Sequence, residues 1–409
     1  MLGGEIYIGE IVFATILLLA LRNYRCTRTE GNVILLAFCW CFAQIASDVI
    51  NRTDLWSALK GEGAPLMFIG TLLGATTYFK RKRRRIPAFL CGAAIGGLIS
   101  QYIFPLYAWS DNSQFFTDDP WKWGIGGTII VTFSIWYSFY YRRQRISVLL
   151  FCLTVFAVPT LYFNARSLAL FPLLAALIYL GSRSRFGYLL QGGRRCRWRM
   201  TRFCVLALVS AVALNYLGSY IFSQEAVLEH FGEFDAIKYR TQAGGRYGLL
   251  LGGRSESLVS ISAFLERPLL GYGSWAKDRT GEFNRDYVSI KEDLGYGMNG
   301  DQELGNVDAL IPTHSFLLGA LVWCGIVGGL FWVFMLYQIL NRFVLLARRL
   351  PFYFVYGTVM MIWDIWFSPF AAVTRWNSAI YLAAFFVFTD GLMRNSGPKV
   401  AADGKKYVG

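Results

Sequence analysis

The chain has 409 residues, of which 55% are hydrophobic and only 16% are charged. A soluble domain of this length would carry about 25% charged residues, and the apolar residues here come in blocks of roughly 16 to 25, the length that crosses about 30 Å of hydrocarbon as a helix. This pattern excludes an ordinary soluble protein, and it excludes a β-barrel, whose strands are shorter and alternate in polarity. We predict an all-α polytopic membrane protein with about eleven, at most twelve, transmembrane helices.

The apolar blocks are predicted to be membrane spans. In chain order they are Ile6–Leu21, Val33–Ile50, Ala64–Phe79, Ile86–Phe104, Trp123–Tyr141, Ser147–Phe163, Ala165–Gly181, Phe203–Phe222, Phe316–Leu340, Phe352–Phe370 and Trp376–Met393. The first block has no basic segment before it and no small-residue cleavage site, so we expect a retained helix rather than a signal peptide. The third, seventh and eleventh blocks are short, which leaves open that one of them is re-entrant.

The positive charge follows the connections between the spans. The formal net charge is +14, and the basic residues cluster in alternate connections, at 22–28, 80–85, 142–145, 183–202 and 342–349, and in the tail. The positive-inside rule assigns these connections to the cytoplasm, which places the N-terminus outside and the C-terminus inside. Because the charge follows the connections, we expect it to contact the lipid bilayer and no nucleic acid.

This topology divides the chain into four parts. Residues 1–222 form an N-terminal bundle of about eight spans, and 223–314 form a large extracytoplasmic loop. Residues 315–393 form about three further spans, and 394–409 form a cytoplasmic tail. Function is best sought in the large loop, where the chain is neither low in complexity nor repetitive.

The large loop is predicted to be partly helical. Residues 226–237 are typical of a short amphipathic helix, and residues 252–255 open a second helix, whose apolar positions are Leu258, Ile261, Phe264 and Leu265. Pro268 ends this helix, and residues 269–273 turn the chain. The stretch 278–308 is polar and acidic, so we expect it to be irregular and solvated.

Three arginines on the predicted outer side are candidate ligands for an anion. Arg246 and Arg254 follow glycine-rich turns, and Arg166 begins the seventh span. The positive-inside bias disfavours arginine on this side, and the forked guanidinium group suits phosphate oxygens. The alternative for each arginine is a side chain that only snorkels to the interface.

His314 lies at the start of the ninth span and is one of only two histidines in the chain. An imidazole at a membrane boundary can accept a proton near neutral pH, so His314 is a candidate general base. The alternative is a structural histidine, which is the commoner role of a lone histidine.

Four acidic residues lie inside predicted spans: Glu10, Asp48, Asp364 and Asp390. We expect Asp364 to pair with Arg375, to line a groove or to make a structural hydrogen bond. Paired halves with broken helices and charges at mid-membrane are typical of transporters, so a polysaccharide-lipid transporter or flippase is an open alternative. Against it, the chain shows no internal repeat.

Several of these motifs together resemble one family. The runs 252–256, 266–275 and 312–317, followed by the glycine-rich run 325–329, resemble the C-terminal domain shared by O-antigen polymerases and O-antigen ligases. Asn164-Ala165-Arg166-Ser167 is similar to the Ser-Arg that begins an earlier span in that family. The motifs cover roughly residues 160–340. The family has about twelve spans with the N-terminus inside, and the topology predicted here differs from that.

The resemblance implies a GT-C-like fold in the bacterial inner membrane, with the large loop in the periplasm. It implies a metal-independent glycosyltransferase, without a cofactor, whose donor glycan is carried on undecaprenyl pyrophosphate. His314 would deprotonate or orient the acceptor hydroxyl, and Arg166 and Arg254 would bind the leaving pyrophosphate, with Arg246 as a third partner. Tyr272 and Trp275, in the turn after Pro268, would contact the substrate. A chain-length regulator protein is an expected partner.

Polymerase and ligase differ in the acceptor. A polymerase transfers the chain to another lipid-linked repeat unit, and a ligase transfers it to the core of lipid A. The same arginines and histidine would serve both reactions. Residues 271–278 resemble capsule and exopolysaccharide polymerases, so we favour a polymerase of surface polysaccharide, with the ligase as the alternative.

Overall fold

The computed structural model describes residues 6–24, 26–103, 120–162, 165–184, 254–293 and 309–394, with isolated positions between 216 and 240. Within these residues the secondary structure is helical, and the only β-type pairing is an isolated bridge between Lys277 and Leu310. The twelve described α-helices are α1 Ile8–Ala20, α2 Arg28–Asn51, α3 Leu55–Arg81, α4 Ile86–Ile103, α5 Gly126–Ile135, α6 Ile146–Tyr162, α7 Arg166–Arg183, α8 Ser255–Glu266, α9 Glu282–Asp293, α10 Phe316–Leu346, α11 Phe352–Phe367 and α12 Ala372–Arg394.

The all-α prediction is confirmed. Each predicted span that lies in the described residues coincides with a helix, and π-helical turns at Trp121–Ile125 and Trp136–Tyr140 extend α5 over most of the fifth span. The eighth predicted span, Phe203–Phe222, and the predicted helix at 226–237 lie almost entirely outside the described residues. Of the described helices, α2 and α10 are long and apolar enough to cross a membrane.

The helix α2 has one face that is buried in the bundle and an opposite face that is apolar and exposed. Its first turn is closed by a capping box, in which Thr27 and Glu30 each bond the other's backbone N–H. One face, with Trp40 and Ser47, is buried against the bundle. On the opposite face Leu35, Phe38, Phe42 and Val49 form a stripe that is between 62% and 74% exposed. A continuous apolar stripe at the surface suits a hydrocarbon environment better than water.

The basic connections that the structure describes lie at one end of the bundle. There Lys80, at the end of α3, pairs with Glu30 at the start of α2. Arg342, near the end of α10, pairs with Asp390 near the end of α12. Arg183, at the end of α7, donates to the carbonyl oxygen of Leu350 over 2.9 Å. We name this the basic end of the bundle.

Each of the four acidic residues inside predicted spans has a partner in the fold. Glu10 accepts hydrogen bonds of 2.7 and 2.8 Å from the buried Arg375 guanidinium, and Asp390 pairs with Arg342. Asp364 accepts a 2.7 Å hydrogen bond from the Ser368 hydroxyl, so of the roles expected for it the structural hydrogen bond is observed. Asp48 binds the turn described below. Because a buried charge is costly when unpaired, these contacts stabilise the bundle.

The ninth predicted span is not one continuous crossing. The helix α10 breaks at Cys324 and at Gly325, which has φ 70° and ψ −161°. The ring of Phe316 lies 4.9 Å from that of Trp332, although sixteen positions of straight helix would separate them by about 24 Å. The N-terminal arm (316–323) therefore folds back along the C-terminal arm (326–346). Apolar periodicity alone could not show this, because both arms are apolar.

The turn at 267–274 fills the break in α10. The amides of Tyr272 and Gly273 donate to the carbonyl oxygens of Val322 and Trp323 over 2.8 and 2.9 Å. The Pro268 carbonyl accepts from the amide of Ile326 over 2.8 Å. A broken helix leaves backbone groups without intrahelical partners, and the turn supplies those partners.

The end of α2 holds the same turn. Asp48 accepts hydrogen bonds of 2.5 and 2.6 Å from the amide and hydroxyl of Ser274. Ser47 donates to the carbonyl oxygen of Trp323 over 2.8 Å, and Asn51 donates to that of Gly271 over 3.3 Å. The turn, α2 and the break in α10 thus form one hydrogen-bonded unit, which we name the lock.

The second helix predicted in the large loop is confirmed as α8. Of its apolar positions, Ile261 is 43% and Leu265 68% exposed. Small residues, Ser257, Ser260 and Ala263, are buried in their place, because they allow α8 to approach the N-terminal arm of α10 closely.

The stretch after Asp278 is also more ordered than expected. It contains the helix α9, which buries Phe283, Tyr287 and Val288 on one face. Asp278 is itself buried, and its carboxylate accepts hydrogen bonds of 2.8 and 2.9 Å from the amide and side chain of Asn284. The acidic composition of this stretch concealed the helical spacing of three apolar residues.

Candidate functional site

Four pieces of the chain meet on one side of the N-terminal arm of α10. The start of α8 is joined to the segment before α10 by a 2.8 Å hydrogen bond from Ser260 to the Pro312 carbonyl oxygen. Ser315 caps α10 by accepting from the Leu318 amide, and it donates to the Ile365 carbonyl oxygen on α11 over 2.8 Å. The rings of Phe171 and Trp363 join α7 to α11 at 4.9 Å. Residues 254 and 314 are therefore brought together across sixty positions of sequence.

Arg254 lies immediately before α8 and is half-buried. Its guanidinium carbon lies 5.3 Å from the centre of the Trp363 ring. Burial lowers the pKa of Arg254, and the charge of Glu256 opposes that shift. A guanidinium group held on an aromatic face keeps its planar set of N–H donors for a second partner, and it suits a bidentate phosphate contact.

His314 is exposed and lies immediately before Ser315, the residue that caps α10. Its neighbours nonetheless desolvate part of the imidazole. That desolvation lowers its pKa below the usual value for histidine, Glu256 acts to raise the pKa, and Arg254 acts to lower it. A histidine with a lowered pKa is neutral at pH 7, so it has a ring nitrogen that can accept a proton. The arrangement suits proton transfer beside a bound anion.

Glu256 was not a predicted site residue. It lies two positions after Arg254, and its carboxylate accepts a 2.7 Å hydrogen bond from the Tyr287 hydroxyl on α9. Its charge acts on both Arg254 and His314. The only signal in the sequence was its place in the run 252–256, and its partner lies in a stretch that was expected to be irregular.

The structure describes the other two predicted arginines, Arg166 and Arg246, only in part or not at all. The helix α7 begins at Arg166, and Phe171 on the same helix contacts Trp363, so the start of α7 lies toward Arg254. The side chain of Arg166 and all of Arg246 lie outside the described residues. Their roles in binding an anion remain predictions.

Tyr272 and Trp275 follow the C-terminal end of α8, a helix about 18 Å long, whereas Arg254 immediately precedes its N-terminal end. Tyr272 packs between the Phe283 ring at 5.5 Å and the Arg267 guanidinium at 4.5 Å. Trp275 is 41% exposed, lies 5.6 Å from the Trp323 ring and has the Lys60 ammonium 5.7 Å from its ring centre. The Ala276 carbonyl oxygen accepts a 2.8 Å hydrogen bond from the amide of Ile311, three positions before His314. The contact of Tyr272 and Trp275 with substrate remains a prediction.

Trp275 has a strained backbone, with φ 51°. A bulky residue in this left-handed conformation costs on the order of 1–3 kcal/mol, and such strain tends to occur where function requires a side chain to be displayed. The ring is not deeply buried, so packing does not offset the cost. We therefore treat Trp275 and Lys60 as a separate exposed aromatic and cationic surface, the Trp275 surface.

Among the described residues, no three His, Cys, Asp or Glu side chains form a group that could hold a metal ion. Comparison of the chain with protein-family models, with curated proteins and with solved structures finds no match. Within the residues that the structure describes, the fold is all-helical, and a guanidinium and a carboxylate group at the start of α8 act on the pKa of an imidazole group that precedes a broken helix.

Proposed function

We propose that this protein is a multi-pass membrane glycosyltransferase that polymerises a bacterial surface polysaccharide. In this proposal it transfers a glycan from undecaprenyl pyrophosphate to a lipid-linked repeat unit. The observation that carries the proposal is the 2.8 Å hydrogen bond from Ser260 to the Pro312 carbonyl oxygen, which joins the helix that follows Arg254 to the segment that contains His314. In keeping with this, the charge of Arg254 lowers the pKa of His314. Those two residues belong to separate motifs that each resemble the polymerase and ligase family.

The shape of the bundle supports a membrane location with the site outside. The apolar stripe of α2 is exposed, and the C-terminal arm of α10 would be about 31 Å long, which matches a bilayer core. The basic end carries the positive charge that the positive-inside rule assigns to the cytoplasm. His314 precedes α10 and Arg254 contacts Trp363 near the end of α11, so both lie at the ends of these helices away from the basic end. This supports the proposal of a periplasmic site in a GT-C-like arrangement.

The proposed chemistry uses one proton transfer and one displacement. The acceptor hydroxyl oxygen attacks the anomeric carbon of the donor sugar, and the bond from that carbon to the pyrophosphate oxygen breaks. The electron pair leaves with undecaprenyl pyrophosphate, and His314 accepts the hydroxyl proton. Arg254 stabilises the charge that develops on the leaving pyrophosphate, because a fixed guanidinium in a partly desolvated site needs no reorganisation. Pyrophosphate is already a good leaving group, so the step requires no metal.

Two observations favour a glycosyltransferase over a transporter. The Trp275 surface presents an exposed indole ring beside a cation, which suits stacking on a sugar ring of a growing chain. The four acidic residues inside predicted spans all have partners, which gives no support to a coupling-ion site of the kind that transporters use.

The test of the proposal is to reconstitute the full-length protein in vesicles with a synthetic undecaprenyl-pyrophosphate-linked repeat unit. We expect wild type to release undecaprenyl pyrophosphate and to form products of two or more repeats, and His314→Ala to lose this activity by roughly 100-fold or more. The protein level and helix content of His314→Ala should equal those of wild type.

Three outcomes would contradict the proposal, each in its own way. Transfer that occurs only when lipid A core is added identifies a ligase. Movement of the lipid-linked repeat across the bilayer without any new glycosidic bond identifies a transporter. Full activity in His314→Ala removes His314 from the mechanism.

A further inference from the structure

Glu256 is placed where a carboxylate can act on an imidazole. It lies in the first turn of α8, and Ser260, one turn later on the same helix, donates to the Pro312 carbonyl oxygen. One turn back along α8 is about 6 Å, and two residues of extended chain from Pro312 to His314 span about 6.6 Å. The hydrogen bond at Ser260 therefore sets Glu256 at the level of His314.

Tyr287 fixes the carboxylate in this position. The Tyr287 hydroxyl donates to a Glu256 oxygen over 2.7 Å, and the Tyr287 side chain is buried on α9. A carboxylate held by a buried donor has few alternative rotamers, so its charge stays directed at one place. A base that is oriented by a third group is the arrangement of catalytic triads.

We infer that Glu256 is a positioning residue for His314, held by Tyr287, and that it stabilises the imidazolium that forms when His314 takes the acceptor proton. This role rests on the proposed function, because it assigns Glu256 to the same transfer reaction. Glu256 touches neither donor nor acceptor in this role and acts only through His314.

The charged and titratable groups around His314 act in opposite directions. On α8, Glu256 raises the pKa of His314 and Arg254 lowers it. On α9, Tyr287 is bound to Glu256, and on α11, Asp364 is bound to Ser368. A bound pyrophosphate would neutralise the effect of Arg254 and leave that of Glu256, so His314 would become a stronger base when the donor is present.

The test uses the full-length protein with Glu256→Gln, Tyr287→Phe and the control Glu282→Gln, an exposed glutamate on α9. Glutamine retains an oxygen that can accept the Tyr287 hydrogen bond. We expect Glu256→Gln to lower kcat roughly tenfold, with the acid limb of the pH profile moved to lower pH, because removal of the negative charge lowers the pKa of His314. Tyr287→Phe should change kcat and the acid limb in the same direction but by a smaller amount. Glu282→Gln should change neither kcat nor the acid limb.

A second readout does not depend on glycan transfer. The chain has two histidines, so in a His230→Gln background the pH dependence of modification by diethyl pyrocarbonate reports the pKa of His314. We expect Glu256→Gln to lower that pKa and Arg254→Gln to raise it. An unchanged pKa, or one raised by Glu256→Gln, overturns the inference even where transfer proceeds. If wild type transfers no glycan while the pKa moves as expected, the proposed function fails and the positioning of His314 by Glu256 holds.

Discussion

The two ends of α8 are held in contrasting ways. Its C-terminal end runs into the lock, where backbone hydrogen bonds and the buried Asp48 carboxylate hold the chain against α2 and α10. Its N-terminal end carries Arg254 and Glu256, which are held by a ring face and by one tyrosine hydroxyl and are close to a surface-open histidine. One end therefore fixes the position of the helix, while the other presents a guanidinium and a carboxylate group that act on the imidazole of His314.

The largest expected effect is at the N-terminal end. Arg254→Lys keeps the positive charge but loses the planar fork, so we expect glycan transfer to fall roughly 100-fold, with the midpoint of thermal unfolding unchanged. The exposed Arg285→Lys on α9 is the matched control and should keep full activity. Transfer assays and thermal unfolding of the purified variants would check this. Near-normal transfer by Arg254→Lys would show that point charge alone is sufficient and would weaken the contrast between the two ends.

The second prediction breaks the lock. An alanine Cβ at Gly325 would lie 2.2 Å from the Leu269 carbonyl oxygen, in a backbone conformation that is almost restricted to glycine. We expect Gly325→Ala to destabilise the protein by roughly 3 kcal/mol, because the turn and the break in α10 cannot both keep their positions. The measurement is thermal or denaturant unfolding in detergent.

The control for that prediction lies in the same helix. Gly319 has open space around the position of a Cβ, so Gly319→Ala should be neutral or slightly stabilising. Equal stabilities for Gly319→Ala and Gly325→Ala would mean that the lock does not hold the break. The contrast between the two ends of α8 would then disappear as well, because the stability of the protein would depend on the contacts of neither end.

The smallest expected effect is at the Trp275 surface. Trp275→Gly removes the strained residue and the exposed ring together, so we expect stability to be unchanged or higher by about 1 kcal/mol. If the ring stacks on the growing glycan, the mean product length should fall about threefold, since an aromatic contact is worth roughly 0.5–1.5 kcal/mol. Electrophoresis of the lipid-linked products would measure it.

Trp56, exposed near the start of α3, gives a matched comparison. Trp56→Ala should leave the product length unchanged. If both variants, or neither, alter the product length, Trp275 acts as an interfacial tryptophan rather than as a sugar contact, and the surface carries no glycan-binding role.

The pattern of apolar blocks predicted where helices form, because helical length and hydropathy are local properties. Ten of the eleven predicted spans lie in described residues and are helical, and the start of α8 followed from the glycine-rich turn before Ser255. Arg254 was a candidate because arginine is disfavoured on the predicted outer side of the membrane. His314 was a candidate because it is a proton acceptor at the start of a span. Their proximity was expected only from a family resemblance.

The tertiary structure determined where a helix breaks and which residues of distant segments contact one another. Whether α10 is straight depends on a φ of 70° at Gly325 and on partners that arrive from residues 267–274, some fifty positions earlier. Which face of α8 is buried depends on the close approach that its serines allow, and the role of Glu256 depends on Tyr287 from another helix. Composition and local periodicity determined the helices, since each forms within its own segment. The break, the lock and the site depend on contacts between distant segments, which no local pattern encodes.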